Sequence, residues 1–347
     1  MLCALIMAGG KGTRFWPIST EDKPKQFLNL ISEKTMIQMT IDRIKPMIPI
    51  ERIFVCTSQQ YVDLLSEQIP DLPIRNIIIE PEGRNTAPCI ALSALVINRY
   101  YKNANMIVLP SDHLIRDEEE FRKILTTGNK FVDMNPKSIV TLGMKPSRPE
   151  IGYGYIKYTD DKQVVDNRKI IKVESFVEKP SLEKAKQYLQ ESKYLWNGGM
   201  FLWNTNEIID EIKKFEEDTY EALQHIRDIS EEKLQEEINN NYNKTRAISV
   251  DYAILEKSDN IFVIESEFGW DDIGSWEAIE RYREKDTNNN IYIGNIKANN
   301  TKNNIIASSS NKVIISDLSD IYLVENDGYI IIGKKENISE VRNYNMS

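Results

Sequence analysis

Residues 2–17 read Leu2-Cys3-Ala4-Leu5-Ile6-Met7-Ala8-Gly9-Gly10-Lys11-Gly12-Thr13-Arg14-Phe15-Trp16-Pro17. The apolar run up to Met7 has the length and character of a buried strand. It breaks into three glycines and two cations, a composition that brings backbone N–H groups and positive charge against phosphates. The spacing is neither the dinucleotide-binding Gly-x-Gly-x-x-Gly nor the P-loop Gly-x-x-x-x-Gly-Lys-Ser/Thr. A second cationic stretch, Lys23-Pro24-Lys25-Gln26-Phe27, follows within reach of the loop tip. Glycines alone would make only a turn after a strand. With Arg14, Pro17 and Pro24-Lys25-Gln26 in train, they read as a nucleotide-phosphate loop.

Outward from this segment, the first 115 residues alternate. Apolar runs at 2–7, 52–56, 77–79 and 106–109 predict strands, and amphipathic stretches at 35–46, 59–69 and 86–101 predict helices. Such alternation means right-handed βαβ units and an α/β fold with a doubly wound, mostly parallel, Rossmann-like sheet. Ligands then sit beyond the carboxyl ends of the strands, where both the glycine loop and Pro110-Ser111-Asp112-His113 fall. Further strands are expected at 139–142, 153–158, 170–177 and 199–203, with helices at 182–190 and 207–214. Residues 219–243 are strongly charged and read as an exposed helical arm. An Asn-rich stretch at 286–290 reads as a linker. It divides residues 1–285 from a small β-rich domain over 290–347 with short strands at 291–293, 304–307, 313–316, 321–324 and 329–333.

The 347 residues can bury one large core, or a large and a small one; 41% are apolar and 28% charged, as in ordinary globular proteins. No apolar run reaches a membrane span and no secretory leader is visible, so a cytoplasmic protein without membrane partners is expected. A net charge of −9 argues against a nucleic-acid partner and makes the local cations Lys11, Arg14, Lys23 and Lys25 stand out. Cys3, Cys56 and Cys89 are widely spaced, each in an apolar segment, and read as buried thiols; two histidines and no Cys-x-x-Cys leave little for zinc.

Asp112 follows a strand directly, beside the phosphate loop, and suits a magnesium ligand; it would equally cap the helix expected near Glu118. Asp272, in Gly269-Trp270-Asp271-Asp272-Ile273-Gly274-Ser275-Trp276, carries the same two readings. Gly152-Tyr153-Gly154-Tyr155 and Trp196-Asn197-Gly198-Gly199 combine close backbone approach with hydroxyl, aromatic and amide groups, as a polyol site requires. Glu178 can take sugar hydroxyls and Lys179 a sugar phosphate; a surface ion pair would explain them as well. Glu80-Pro81-Glu82-Gly83-Arg84-Asn85-Thr86 precedes a helix that Asn85 or Thr86 could cap, and could equally present Asn85 to a nucleobase edge.

In this order, AGGKGTRFWP, KPKQF, EPEGRNTAP, LPSDH, GYGYI, VEKP, WNGGMF, SVDYAILEK and WDDIGSW resemble the mannose-1-phosphate guanylyltransferases, within the wider nucleotidyltransferases that make nucleotide sugars. Gly198 and Asp271 depart from the family, which commonly has serine at both. The resemblance implies GTP and mannose 1-phosphate as substrates, GDP-mannose and pyrophosphate as products, and Mg2+ as cofactor. It places Arg14, Lys25, Asp112 and Asp272 in catalysis, with Asp112 and Asp272 on the metal. Ala8, Gly9, Gly10, Gly12, Thr13, Arg14, Glu80, Arg84, Asn85, Ser111 and Asp112 would bind nucleotide. Tyr153, Gly154, Glu178, Lys179, Asn197 and Asp272 would bind the sugar phosphate. It further implies a left-handed C-terminal β-helix, a homodimer and, since the sequence stops short of the isomerase domain of longer relatives, a single activity. Two other readings compete: a transferase joining glucose 1-phosphate to UTP or dTTP, and a GDP-mannose-binding regulatory subunit without turnover.

Overall fold

In the computed structural model, which describes residues 1–326 and 328–345, the opening apolar run is strand β1 (Leu2–Met7). Strand β2 (Ile53–Ser58) lies parallel on one side of it, with β3 (Ile77–Glu80) beyond; β4 (Asn105–Pro110) lies parallel on the other side. The linking helices are α1 (Met36–Ile44), α2 (Val62–Gln68) and α3 (Thr86–Tyr100). Alternate residues of β1 enter different cores: Ala4 and Ile6 pack on one face with Val55 and Ile107, Cys3 and Leu5 on the other with Phe54 and Ile90. Both faces of the strand are therefore apolar, which is why its sequence does not alternate.

Beyond β4 follow β5 (Leu114–Ile115), α4 (Glu118–Met134), β6 (Ile139–Met144), β7 (Tyr155–Val165), β8 (Arg168–Val177), α5 (Leu182–Gln190) and β9 (Tyr194–Asn204). The chain continues through α6 (Thr205–Phe215), α7 (Glu217–Leu223), α8 (Leu234–Asn241), β10 (Ile261–Ser266), β11 (Trp270–Asp271) and α9 (Trp276–Tyr282). The main sheet has nine strands in the order β3-β2-β1-β4-β9-β6-β10-β8-β7. Most strands point the same way but the sheet is mixed, because β9 runs against both β4 and β6 and β8 runs against both β10 and β7. Strand β9 begins earlier than the expected 199, so Trp196, Asn197 and Gly198 lie on the sheet rather than before it. No helix among the described residues is long and apolar enough to cross a membrane.

The charged stretch 219–243 is not an exposed arm. It folds back on α3, burying Thr219, Leu223, Ile226, Ile238 and Tyr242 while its acidic side chains face water. Charge density marks only the outer face of these short helices; the widely spaced apolar residues make the inner one.

The C-terminal strands are β12 (Ile291–Ile293), β13 (Ile296–Asn299), β14 (Ile305–Ser308), β15 (Val313–Ser316), β16 (Ile321–Asn326) and β17 (Tyr329–Lys334). Parallel pairings join Ile296 to Val313 and Ile305 to Tyr322, and the side-chain bonds Asn300 to Asp317 and Asn303 to Asp320 repeat that 17-residue step. Successive passes therefore stack in register, consistent with a β-helix. The Asn-rich stretch is a structural corner, not a linker: Asn290 is buried, accepting from the Asn304 amide and donating to the Thr301 carbonyl. Asn289, Asn300, Asn303, Asp317 and Asp320 all have positive φ, a conformation that short Asn and Asp side chains tolerate best after glycine.

This corner falls at the expected boundary between 1–285 and 290–347, and the core runs across it. Ile291, Ile305, Tyr322 and Val324 pack with Phe15, Trp16, Leu30, Ile273 and Trp276. Asn326 also donates to the Pro17 carbonyl, so the tail buttresses the loop that follows the glycines. Truncation after Asp286 is expected to uncover this cluster and yield aggregated protein by size-exclusion chromatography. A monodisperse truncated chain melting like the full one would show that the tail supports nothing.

Candidate active site

A crevice of about 800 Å³ opens beyond the carboxyl ends of the central strands, and a cleft of about 330 Å³ adjoins it. Met7, Gly10, His113 and Asp272 wall both, so the two spaces are continuous.

The smaller cleft is built by the glycine loop. Gln26 Nε2 donates to the carbonyls of Ala8 (3.0 Å) and Gly10 (2.7 Å), locking the loop to the Lys-Pro-Lys-Gln segment. Gly12 has φ of 46°, and a Cβ there would lie 2.8 Å from the Lys25 amide nitrogen, so only glycine fits. The loop thereby delivers Lys25, whose side chain is 3% exposed. Its ammonium donates to Asp112 Oδ2 at 2.9 Å and to the backbone carbonyl of Asp272. Arg14 is mostly exposed, with its guanidinium 3.5 Å from Asp272 Oδ2. Tyr153 donates to Asp272 Oδ1 at 2.8 Å. Residues far apart in sequence thus meet around one cation.

Burial alone would push the Asp112 carboxyl up, but the nearby positive charge, Lys25 first, outweighs it and holds Asp112 below the usual carboxylate range. The capping alternatives do not apply to either aspartate. Helix α4 is capped by Asp117, which accepts from the Glu120 amide, and Ser275 holds the N-cap position of α9. Asp271 does the structural work of its loop, accepting from the Ile273 amide, Arg281 and Tyr282. That arrangement leaves Asp272 turned into the cleft.

The larger crevice has two ends. At one, Glu80, Arg84 and Asn85 line the wall. Asn85 also caps α3 by accepting from the Thr86 amide at 2.8 Å, while its residue lines the crevice. Arg84 is spent partly on Glu82 and on the Thr245 carbonyl. Glu80 is buried and accepts from the Tyr242 hydroxyl; burial raises its carboxyl above the ordinary value. At the other end stand Tyr153, Gly154, Glu178, Asn197 and Asp251. Asn197 Nδ2 donates to Asp251 Oδ1 at 2.7 Å, and Asn197 Oδ1 accepts from the Gly199 amide at 3.1 Å. Burial, and then the neighbouring Asp251, push Glu178 up to about 7.

These features place the chain among known proteins. Residues 3–289 match the family described as nucleotidyl transferase. The chain belongs to that family. Among similar proteins, the xanthan biosynthesis protein XanB of Xanthomonas campestris is 35% identical over 345 residues, covering 97% of this chain and 71% of that one. An Escherichia coli mannose-1-phosphate guanylyltransferase is 31% identical over 351 residues, covering 99% and 74%. A solved Thermus thermophilus structure described as a mannose-1-phosphate geranyltransferase superposes with a TM-score of 0.83 at 29% identity, covering 99% and 98%.

Within this nucleotidyl transferase not every expected site residue reaches the crevice. Ala8 is buried, and its carbonyl serves Gln26 and Thr57. Thr13 begins a single turn behind the loop and does not line either space. Ser111 lines the cleft, while its backbone bonds Met7 and Thr40. Lys179 is exposed at the rim with φ of 54°, beside Glu178 but outside the lining. At Gly198, a Cβ would lie 2.5 Å from the Met144 methyl, so a serine there would require that methionine end to shift.

Three residues of the site were not read from the sequence as such. His113 accepts from Trp270 Nε1 through Nδ1 at 3.1 Å, and burial lowers its basicity. Asp251 sat unremarked inside SVDYAILEK. Tyr242 lay in the stretch read as an arm, and nothing in its neighbours pointed inward.

Proposed function

We propose that this nucleotidyl transferase moves GMP from GTP to mannose 1-phosphate, forming GDP-mannose and pyrophosphate. The observation that carries the reading is the order of groups along one crevice. The glycine loop with Lys25 and Arg14 lies beside Asp112 and Asp272, and a pocket of carboxylates, amide and tyrosine continues from it. Its relatives named mannose-1-phosphate guanylyltransferase support the choice of base and sugar.

The attacking group is a sugar phosphate whose second pKa is about 6, so it is already largely a dianion near neutral pH. No general base is needed, and rate comes from alignment and charge neutralisation of an in-line attack on the α-phosphorus. Gly9, Gly10 and Gly12 let the loop backbone approach the triphosphate, and Lys25 and Arg14 supply fixed and mobile positive charge. Glu80, Arg84 and Asn85 take the guanine side. Tyr153, Gly154, Glu178 and Asn197 take the sugar, with Lys179 able to swing in from the rim toward its phosphate.

Magnesium fits the donor set. The Asp112 carboxylate meets the Lys25 ammonium, which also reaches the Asp272 backbone carbonyl, while the Asp272 carboxylate lies in the same cleft between Tyr153 and Arg14. These two aspartates would hold the ion, which supplies charge neutralisation to phosphate oxygens. The family likeness further supports a left-handed winding of the C-terminal coils, a homodimer and a cytoplasmic setting.

The test is a matrix of the four nucleoside triphosphates against mannose and glucose 1-phosphates, with pyrophosphate release measured. GTP with mannose 1-phosphate should dominate. Preference for UTP or dTTP with glucose 1-phosphate would make it a different transferase, and GDP-mannose binding without turnover a regulatory subunit.

Glu178 gives this assay a pH signature. Its carboxyl titrates near 7, so it is protonated below that and a stronger acceptor for sugar hydroxyls above it. The KM for mannose 1-phosphate should fall as pH rises from 6 to 8, about the pKa of 7. Glu178→Gln should remove that break while leaving the substrate's own titration near about 6. A break that survives the substitution would assign it elsewhere.

A further inference from the structure

Among the described residues, Cys56, Glu80 and Cys89 form a cluster whose polar atoms lie within 4.8 Å of one another, beneath the base end of the crevice. Tyr242 closes it from behind, its ring entirely buried and its hydroxyl donating to Glu80 Oε1. The other carboxylate oxygen faces the glycine loop: a Cβ on Gly9 would lie 2.7 Å from Glu80 Oε2. One oxygen is thus anchored and the other presented. Burial pushes the Cys56 thiol well above its ordinary value, so it remains a neutral donor beside the carboxylate.

A fixed carboxylate selects among bases by simple pairing. Guanine offers N1–H and a 2-amino group along one edge, whereas adenine offers an acceptor nitrogen and a C–H there. A buried carboxylate is satisfied by the first and left unpaired by the second, which is the condition for strong rejection. Selection then depends on the carboxylate being held in one rotamer.

We propose that Tyr242 is a positioning residue for base selection, its hydroxyl holding the Glu80 carboxylate turned toward the guanine edge. This rests on the placement of Glu80 at the base under the proposed function. The ring fills the core as a phenylalanine would, and the hydroxyl, which a phenylalanine lacks, is the atom that bonds Glu80.

The experiment compares kcat/KM for GTP and for ITP, which lacks the 2-amino group, in the full chain at saturating mannose 1-phosphate. The unsubstituted enzyme should prefer GTP by about tenfold or more, the worth of one charge-assisted hydrogen bond. Tyr242→Phe should shrink that preference to within about threefold, with the KM for mannose 1-phosphate unchanged. An unchanged GTP-to-ITP ratio would leave Tyr242 a core residue only and overturn the proposal. Glu80→Gln is the separate control. If it keeps the full preference for GTP, the placement of Glu80 at the base is what has failed. Should Tyr242→Phe fold poorly, Glu80→Gln/Tyr242→Phe carries no stranded buried charge. A ratio equal to that of Glu80→Gln alone supports action through Glu80, and a further drop refutes it.

Discussion

Lys25→Ala is expected to lower kcat by roughly a hundredfold or more, the usual loss when one preorganised charge is removed from a transition state. The expectation follows from how the ammonium is held. Lys25 is 3% exposed, fixed by Asp112 and by the Asp272 carbonyl, and faces the cleft beside Gly10 and Gly12 before any substrate arrives. Charge placed in advance needs no reorganisation as the α-phosphoryl reacts, which is where such a group acts most. Arg14 offers the contrast. Its side chain is 64% exposed, so Arg14→Ala should cost rate while leaving the melting temperature unchanged. Lys25→Ala, which also strips Asp112 of its partner, should lower both. Steady-state kinetics and thermal melts on the two variants decide this, and a normal kcat in Lys25→Ala would reduce Lys25 to a structural ion pair.

The half of the fold that carries the phosphate loop was legible because its signals are local. Leu2–Met7 is apolar throughout because both faces of β1 are covered, and the helices that follow show their period along a short stretch of chain. The remainder depends on distant partners. The reversal of β9 between β4 and β6 leaves no mark in its own residues. Asparagine at 286–290 suggested a loose linker, yet the same residue is favoured at tight corners with positive φ. Composition does not separate the two; burial of Asn290 and Asn304 does.

The site divides the same way. Gly9, Gly10 and Lys25 announce themselves by residue type and adjacency. Asp112 and Asp272 each looked as much like a helix cap as a ligand, and what distinguishes them is that Asp117 and Ser275 hold the caps while both aspartates line one cleft with Lys25. His113, Asp251 and Tyr242 act through neighbours 157, 54 and 162 positions away, namely Trp270, Asn197 and Glu80. No spacing rule reaches that far.

That shared cleft makes the aspartate pair the sharpest test of the metal assignment. Asparagine keeps the size and a carbonyl acceptor for Lys25 at position 112 and for Tyr153 at position 272, while removing the negative charge a hard divalent cation requires. Neither aspartate caps a helix, since Asp117 and Ser275 occupy those places. Asp112→Asn and Asp272→Asn should therefore each melt within a few degrees of the parent chain, a difference of about 1–2 kcal/mol at most. Each should nevertheless lose most of its turnover. If both serve one ion, the losses should be strongly non-additive, the double variant being little worse than either single. Each single should also need more magnesium for half-maximal rate. Independent roles predict instead that the two losses multiply and that the magnesium requirement stays put. Melting temperature and magnesium-dependent rate for the two singles and the double separate these outcomes, and near-parental turnover in Asp272→Asn would end the shared-ion assignment.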